Sequence, residues 1–310
     1  MYVLFAISLA LAVLKNIVSK VGKKQFGNLS GLLTVNLFTG ALAVVFFACL
    51  GLNFRIVGGG AFWTITLLYG LFTTASQMLH ITAVGRGDLS VCTMIYASGF
   101  LVSTIFSVFY FRETVGVWKA IGLVLTCVSI FLISFQFKRK GEEKAKVGSY
   151  KYLLFSIPAM LSCGVVGILQ KLYGNFFGSV GLNESLFLAF SEMFLLSAAV
   201  KLVLYILEKR KSVATVELPN AEQTGAAEKR KGLIRFGLLA AAFAVCIVVT
   251  NRLNLYLTGV MAGIVFFPVY NGGSIAITAA CSFLLLKEKP TVSKLVGIVI
   301  GILSFVLIAL

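Results

Sequence analysis

Long apolar blocks constrain the fold of this chain more than any other feature of its sequence. Apolar residues make up 59% of the 310 residues and charged residues only 12%, unlike ordinary soluble domains. About 20 apolar residues at a rise of 1.5 Å each span the hydrocarbon core, so runs of this length predict membrane helices. We therefore expect an all-α polytopic membrane protein with ten transmembrane helices. Its ten blocks lie at about 2–21, 29–51, 60–84, 88–110, 115–137, 151–177, 183–208, 233–256, 260–286 and 291–309. The first block has no basic segment before it and no small-residue cleavage site, so we expect it to be retained as a helix.

One short polar segment between apolar blocks occurs twice in the chain. Aligned without a gap, residues 113–133 and 288–308 are identical at eight of 21 positions. The identical pairs include Glu113/Glu288, Val117/Val292, Lys119/Lys294 and Gly122/Gly297. The repeated segment therefore predicts an internal duplication of a five-helix unit. Because five is an odd number, the two copies should cross the membrane in opposite orientations, which gives two inverted five-helix repeats.

Two charged linkers divide the apolar blocks. Residues 138–150 separate the fifth block from the sixth, and residues 209–232 lack apolar periodicity, which predicts a mobile polar loop. The predicted organisation is a first five-helix repeat over 1–137, a charged linker over 138–150, and a second five-helix repeat over 151–310.

The ends of the two repeats carry a recognisable pattern. Each has an apolar helix, a glutamate (Glu113 or Glu288), a short polar turn and a glycine-containing closing helix. The first helix of each half also carries a lysine near its end, Lys20 or Lys171. In these features, and over nearly its whole length, the chain resembles the drug/metabolite transporter superfamily in its ten-helix EamA-type form. The resemblance implies a transporter fold; its members export amino acids and drugs, import metabolites or exchange nucleotide sugars.

The sequence differs from that family pattern in two places. Family members often have a proline midway along the fourth helix of each half, where this chain has Ser98-Gly99 and 272–274 (GGS). Their second helices often begin near an arginine, where this chain has Asn36 and Glu192. The resemblance therefore predicts transport without naming a substrate.

Polar residues inside the apolar blocks are the candidates for a substrate site. A charge at the centre of a membrane helix costs about 2.5–3.5 kcal/mol, so such residues are expected to face a cavity. Inverted-repeat transporters place that cavity near the midplane, between the repeats. The predicted cavity residues are Lys15, Asn16, Ser19, Gln77, His80, Thr93, Tyr96, Gln170, Asn251, Tyr270 and Asn271.

Two of these candidates have an open alternative. His80, the only histidine, either lines the cavity or makes an ordinary hydrogen bond between helices. The stretch FFPVYNGGS at 266–274 combines Pro268 with two glycines, which predicts a weakened helix and a substrate contact around Asn271. Close helix packing through small residues is the other interpretation of that stretch.

The glutamates fall into two kinds. Glu192 is the only carboxylate deep in an apolar block, about 13 Å from its start. A buried carboxylate can carry a proton, so Glu192 is the candidate for ion or proton coupling; the alternative is a buried pair with Lys15 or Lys171. Glu113 and Glu288 stand at helix ends, where each is expected to cap the following helix.

The basic residues give a topology signal. Most of the 27 Lys and Arg residues lie in or beside the odd-numbered connections, and the even-numbered ones carry only Arg55, Arg112 and Lys119. The positive-inside rule then places the odd connections in the cytoplasm and both termini outside. The family resemblance implies both termini inside, and we favour the charge-based orientation. The net charge of +16 indicates attraction to anionic lipid, and the basic clusters lack the aromatic residues of a nucleic-acid site.

These features predict a secondary active transporter that moves a small polar metabolite across a plasma (inner) membrane by alternating access. The alternative is a flippase for a lipid-linked or amphipathic headgroup on the same scaffold, which predicts a cavity open sideways to lipid. An enzyme is not expected, because a zinc site needs several ligands and the chain has one histidine, no HExxH and no Walker A motif. We expect no catalytic residue, metal or cofactor. The expected partners are a small-molecule substrate and the lipid bilayer, without nucleic acid, for a chain that is a monomer or else a homodimer.

Overall fold

The chain folds into helices wherever its structure is described. The computed structural model describes residues 1–22, 28–54, 59–84, 86, 89–134, 152–212, 226–285 and 292–310, and these ranges contain no β-strand. Their helices are α1 (Tyr2–Val21), α2 (Leu29–Cys49), α3 (Gly60–Val84), α4 (Leu89–Ala97), α5 (Gly99–Tyr110), α6 (Val117–Ser134), α7 (Leu153–Phe177), α8 (Leu182–Ser212), α9 (Ala226–Val260), α10 (Gly263–Leu285) and α11 (Val292–Ala309). The all-α prediction is confirmed. The linker predicted at 138–150 lies outside the described residues.

The chain is a multi-pass membrane protein. Among the described residues, seven segments are long and apolar enough to span a bilayer. They are Tyr2–Ser19, Leu29–Cys49, Cys92–Tyr110, Leu153–Phe177, Leu182–Leu207, Ile234–Val260 and Gly263–Cys281. Two shorter apolar helices cover Val117–Ile133 and Val292–Ile308. Helix α3 has 25 residues but falls outside this apolar set, because its second half carries several polar side chains.

The polar linker predicted at 209–232 is helical at both of its described ends. Helix α8 continues to Ser212 and α9 begins at Ala226. Lysine, arginine, glutamate and alanine dominate these ends, and all four are good helix formers. The helices therefore extend beyond the apolar blocks that predicted them, and residues 213–225 lie outside the described part.

The fourth block of each half behaves differently from the prediction. The first is divided at Ser98, and α5 begins at Gly99, where a Cβ would lie 2.6 Å from the carbonyl oxygen of Met160. The second, α10, is continuous through Pro268, so the weakening predicted for 266–274 is not observed. Its Asn271 amide donates to the carbonyl of Phe267 within the same helix.

Helices α6 and α11 pack antiparallel and make the same contact twice. A Cβ at Gly122 would lie 2.6 Å from Cγ1 of Ile308, and a Cβ at Gly297 would lie 2.8 Å from Cγ1 of Ile133. Gly122 corresponds to Gly297, and Ile133 to Ile308, in the internal alignment. When a residue and its counterpart exchange partners in this way, the two elements are related by a local two-fold axis.

Leucine at either of these two glycines should destabilise the fold by a similar amount. Gly122→Leu and Gly297→Leu each force a side chain into an isoleucine, and overpacking typically costs about 1–3 kcal/mol. Thermal unfolding in detergent, followed by tryptophan fluorescence, measures both. Gly116→Leu is the control, since no atom lies within 4 Å of a Cβ there. Destabilisation by only one of the two variants would contradict the reciprocal packing.

Candidate substrate cavity between the two halves

Three polar clusters lie inside the otherwise apolar bundle. In the first, the Tyr69 hydroxyl on α3 donates to Asn251 Oδ1 on α9 at 2.5 Å. The same hydroxyl accepts from Gln170 Nε2 on α7 at 3.2 Å. The Asn251 amide also donates to the carbonyl of Ile247, which fixes its orientation. Gln170 and Asn251 are predicted cavity residues, whereas Tyr69 is a member of the cluster that was not predicted.

The second cluster joins α1, α9 and α10. Ser8 Oγ on α1 donates to Asn254 Oδ1 on α9 at 2.6 Å, and both residues are buried. The predicted cavity residue Tyr270 on α10 brings its hydroxyl to the same two side chains. Its ring stacks on Phe266 at a centroid distance of 5.4 Å. Ser8 was not predicted, because a single serine in the first apolar block resembles a packing residue.

The third cluster contains the membrane-embedded lysine. Lys15 on α1 lies within electrostatic range of Cys163 on α7 and Cys246 on α9. The Tyr96 hydroxyl on α4 interacts with Cys163, and the His80 ring stacks on Tyr96 at a centroid distance of 4.4 Å. The structure therefore brings the predicted residues His80 and Tyr96 together, and Cys163 interacts with both Tyr96 and the predicted residue Lys15.

Two predicted residues of α3 have buried polar atoms without a hydrogen-bond partner among the described residues. These atoms are Gln77 Oε1 and His80 Nδ1. An unsatisfied buried polar atom costs about 1–3 kcal/mol, so such positions suit contact with a polar ligand or water. Of the two interpretations of His80, this arrangement favours the cavity-lining one.

The other predicted residues lie apart from these clusters. Asn16 Nδ2 donates to Thr278 Oγ1 on α10 at 3.2 Å. Ser19 is exposed and Thr93 is half-buried on α4. Asn271 donates its amide to its own helix, so its side chain does not join a cluster.

A small internal cavity adjoins the first cluster. Its volume is about 20 Å³, room for about one water molecule. Its polar lining comes from Tyr69, Thr73, Thr74 and Asn251, and Gly70 forms part of its wall. A cavity of this size is too small for a metabolite, so binding at this cluster would need the surrounding helices to move apart.

Glu192 lies between α3 and α8 and does not join the three clusters. It is half-buried on α8 and borders a groove of about 270 Å³ between α3 and α8. Its Oε2 atom is buried without a hydrogen-bond partner among the described residues. The alternative pairing with Lys171 is not observed, since Lys171 Nζ pairs with Glu113 Oε1 at 3.1 Å.

Glu113 caps a helix, but not the one that follows it. Its two carboxylate oxygens accept from the backbone N–H groups of Gly263 at 2.8 Å and Ile264 at 2.9 Å, at the start of α10. Lys171 Nζ, besides pairing with Glu113, donates to the carbonyl of Met261 at 2.7 Å. The expectation that Glu113 caps the following helix, α6, is therefore wrong, because α10 brings its free N–H groups against the carboxylate. Glu288 and the side chain of Lys20 lie outside the described part.

Comparison with known proteins shows a shared fold and no family. No protein-family model matches the sequence, and no curated protein sequence matches it. In fold, 27 chains of solved structures match. One of them, known only as "Crystal structure of protein", has a TM-score of 0.68 and 10% sequence identity, over 98% of this chain and 94% of that chain. At this identity the match describes the architecture alone.

Proposed function

We propose that the protein is a secondary active transporter that moves a small polar metabolite across the membrane by alternating access. The observation that carries this proposal is that each of the three polar clusters among the described residues joins the first half of the chain to the second. Tyr69 meets Gln170 and Asn251, Ser8 meets Asn254, and Tyr96 meets Cys163. Polar groups in a membrane interior are costly, so their convergence between two halves favours a ligand pathway there.

The proposed scaffold is ten spans in two inverted five-helix repeats, with α4 and α5 counted as one span. The antiparallel, reciprocal contact of α6 with α11 supports this arrangement. Helices α2 and α8 occupy equivalent places in the two halves and also pack antiparallel. Phe47, late in α2, stacks on Phe190, early in α8, and Lys201, late in α8, donates to Thr34, early in α2. Antiparallel packing of counterparts is what a two-fold axis across the helices produces, so it supports an inverted repeat.

The cluster chemistry favours a zwitterionic or anionic cargo. Lys15 supplies the one ammonium group of the three clusters, and the groups that interact with it there are the neutral thiols of Cys163 and Cys246. An ammonium group surrounded by neutral groups of low polarity attracts a carboxylate or phosphate strongly. The tyrosine and amide groups can then orient the rest of a polar cargo by hydrogen bonds.

Thermal-shift screening of the purified protein tests the proposal first. Amino acids, amines, nucleosides, sugars and phosphorylated metabolites are compared, and a hit is followed by uptake into proteoliposomes. Lys15→Met should raise the cargo concentration that gives a half-maximal shift in Tm at least tenfold, because the cargo loses its counter-ion. Lys201→Met is the matched control, since Lys201 hydrogen-bonds at the α2–α8 contact and away from the clusters. The absence of any shift with water-soluble compounds, or equal effects of the two variants, would contradict the proposal.

The flippase alternative keeps one observation in its favour. The groove beside Glu192 opens to the side, as expected for a cargo that arrives from the bilayer. Stabilisation by lipids alone in the same screen would support this second function.

A further inference from the structure

The groove between α3 and α8 combines an aliphatic wall with one carboxylate. Glu192 is its single polar residue; its other lining residues are Leu67, Leu68, Leu71, Leu195 and Leu196. Four of these leucines (Leu67, Leu68, Leu71 and Leu195) are between 38% and 64% exposed, on the surface that faces lipid in a membrane-spanning bundle. Leucine side chains suit an aliphatic or aromatic tail, so the groove has an apolar part and a charged end.

Glu192 lies near the middle of the membrane. It follows the start of α8 at Leu182 by ten residues, about 15 Å along the axis, which is half of a hydrocarbon core of about 30 Å. The backbone N–H of Leu71 approaches the carboxylate, whereas its Oε2 atom is buried without a hydrogen-bond partner among the described residues. No ion pair reaches the carboxylate in that part of the chain. A carboxylate so placed gains from a cation that is itself soluble in lipid, because each charge offsets the cost of the other.

A single residue, Gly70, lies between the groove and the small interior cavity. Glu192 Oε2 lies against Gly70, and a Cβ at Gly70 would also lie 2.9 Å from Cα of Ala189. Gly70 is at the same time part of the wall of the small cavity beside Tyr69 and Asn251. The glycine therefore lets the carboxylate approach α3 closely, at a place where the groove and the small cavity share one wall residue.

We propose that this groove binds an amphipathic cation dissolved in the bilayer, an amine or quaternary ammonium with an apolar tail. The ammonium group pairs with Glu192, and the tail lies along the leucines of α3 and α8. The site is independent of the transport proposal, since binding from lipid requires no movement of cargo through the interior.

Hydrophobic carbodiimide labelling in phosphatidylcholine nanodiscs tests the site. Dicyclohexylcarbodiimide adds to a carboxyl group that is reached from lipid: the oxygen bonds to the central carbon and the proton goes to nitrogen, with no leaving group. We expect labelling at Glu192, read by mass spectrometry of its peptide, and none in Glu192→Gln. Dodecyltrimethylammonium should protect Glu192 at a concentration at least tenfold lower than uncharged dodecanol does. Equal protection by dodecanol, or no labelling at all, would overturn the proposal.

Two tryptophan variants separate the groove from the rest of the lipid-facing surface. Leu195→Trp fills the groove and should abolish protection by the cation, whereas Leu202→Trp, one heptad further along α8 and 59% exposed, should leave it unchanged. Dodecyltrimethylammonium should also raise the Tm of the unlabelled protein and fail to do so in Glu192→Gln. Two results together would instead identify the groove as a contact between two copies of the chain. Leu195→Trp would change the oligomeric state, and the cation would have no effect on the parent protein.

Discussion

Glu113→Ala is expected to lower the free energy of unfolding by about 3–5 kcal/mol, since it leaves a buried ammonium group without its counter-ion. The side chain of Lys171 is 5% exposed and that of Glu113 is 11% exposed. The substitution also leaves two backbone N–H groups at the start of α10, those of Gly263 and Ile264, without their acceptor. Chemical unfolding in mild detergent, monitored by circular dichroism, measures the loss.

The same pair provides its own control. Replacing both charges, as in Glu113→Gln with Lys171→Met, removes the buried ions together, so much of the lost stability should return. The double variant uses Glu113→Gln because the amide oxygen of a glutamine side chain still accepts a hydrogen bond from the start of α10. A double variant no more stable than Glu113→Ala would show that the ion pair is not the source of the loss.

Block length alone predicted where most helices lie. An uncharged run such as 29–51 has no stable alternative to a helix in lipid, since its backbone groups need internal partners. The division of the fourth span at Ser98 could not be predicted, because it accompanies the close approach of α7 to Gly99. In the other half, 266–274 has stronger local signals for a break, including Pro268, yet α10 remains continuous. Tertiary packing decides both outcomes.

The sequence predicted which types of residue form the candidate site better than it predicted how those residues are arranged. Polarity inside an apolar block identified Gln170 and Asn251, which the structure brings together. It missed Tyr69, the residue that connects them, although it included Tyr96 and Tyr270, because the sequence does not show which tyrosine hydroxyls meet polar partners in the folded bundle. For Glu192, the sequence predicted a position deep in an apolar block, but it did not predict which neighbouring helices the side chain contacts. Which side of α8 faces lipid depends on how α8 packs on α3, and no single-helix pattern carries that information.

The backbone groups that donate to the Glu113 carboxylate could not be predicted from the sequence for a related reason. Sequence shows only neighbours along the chain, so the following helix was the natural partner to predict. The start of α10 lies 150 positions further on and reaches Glu113 only in the folded bundle.

Gly174→Leu should be among the most disruptive substitutions in the bundle that leave every charge in place. Gly174 on α7 meets Gly259 on α9 backbone to backbone, and a Cβ at Gly174 would also lie 3.0 Å from the carbonyl oxygen of Leu255. In membranes, small residues at such crossings let helices pack closely. Adding a single methylene to a packed site already costs about 1–3 kcal/mol, and leucine adds a whole branched side chain. We expect loss of the monodisperse folded protein in size-exclusion chromatography, whereas Gly237→Leu, with no atom within 4 Å of a Cβ, should purify normally.

The milder Gly174→Ala variant connects this contact to the proposed transport. One turn from the glycine contact, Thr258 Oγ1 on α9 lies 2.9 Å from the carbonyl oxygen of Gln170 on α7 and equally close to that of Asn254 on its own helix, so the two helices are in close contact there. A methyl group at Gly174 pushes the helices apart and lengthens the path from Gln170 through Tyr69 to Asn251. Cargo uptake into proteoliposomes should therefore fall at least tenfold at a temperature where the variant is still folded. Unchanged uptake together with a lowered Tm would mean that the α7–α9 contact serves stability alone, and that the cluster around Tyr69 tolerates a shift in its spacing.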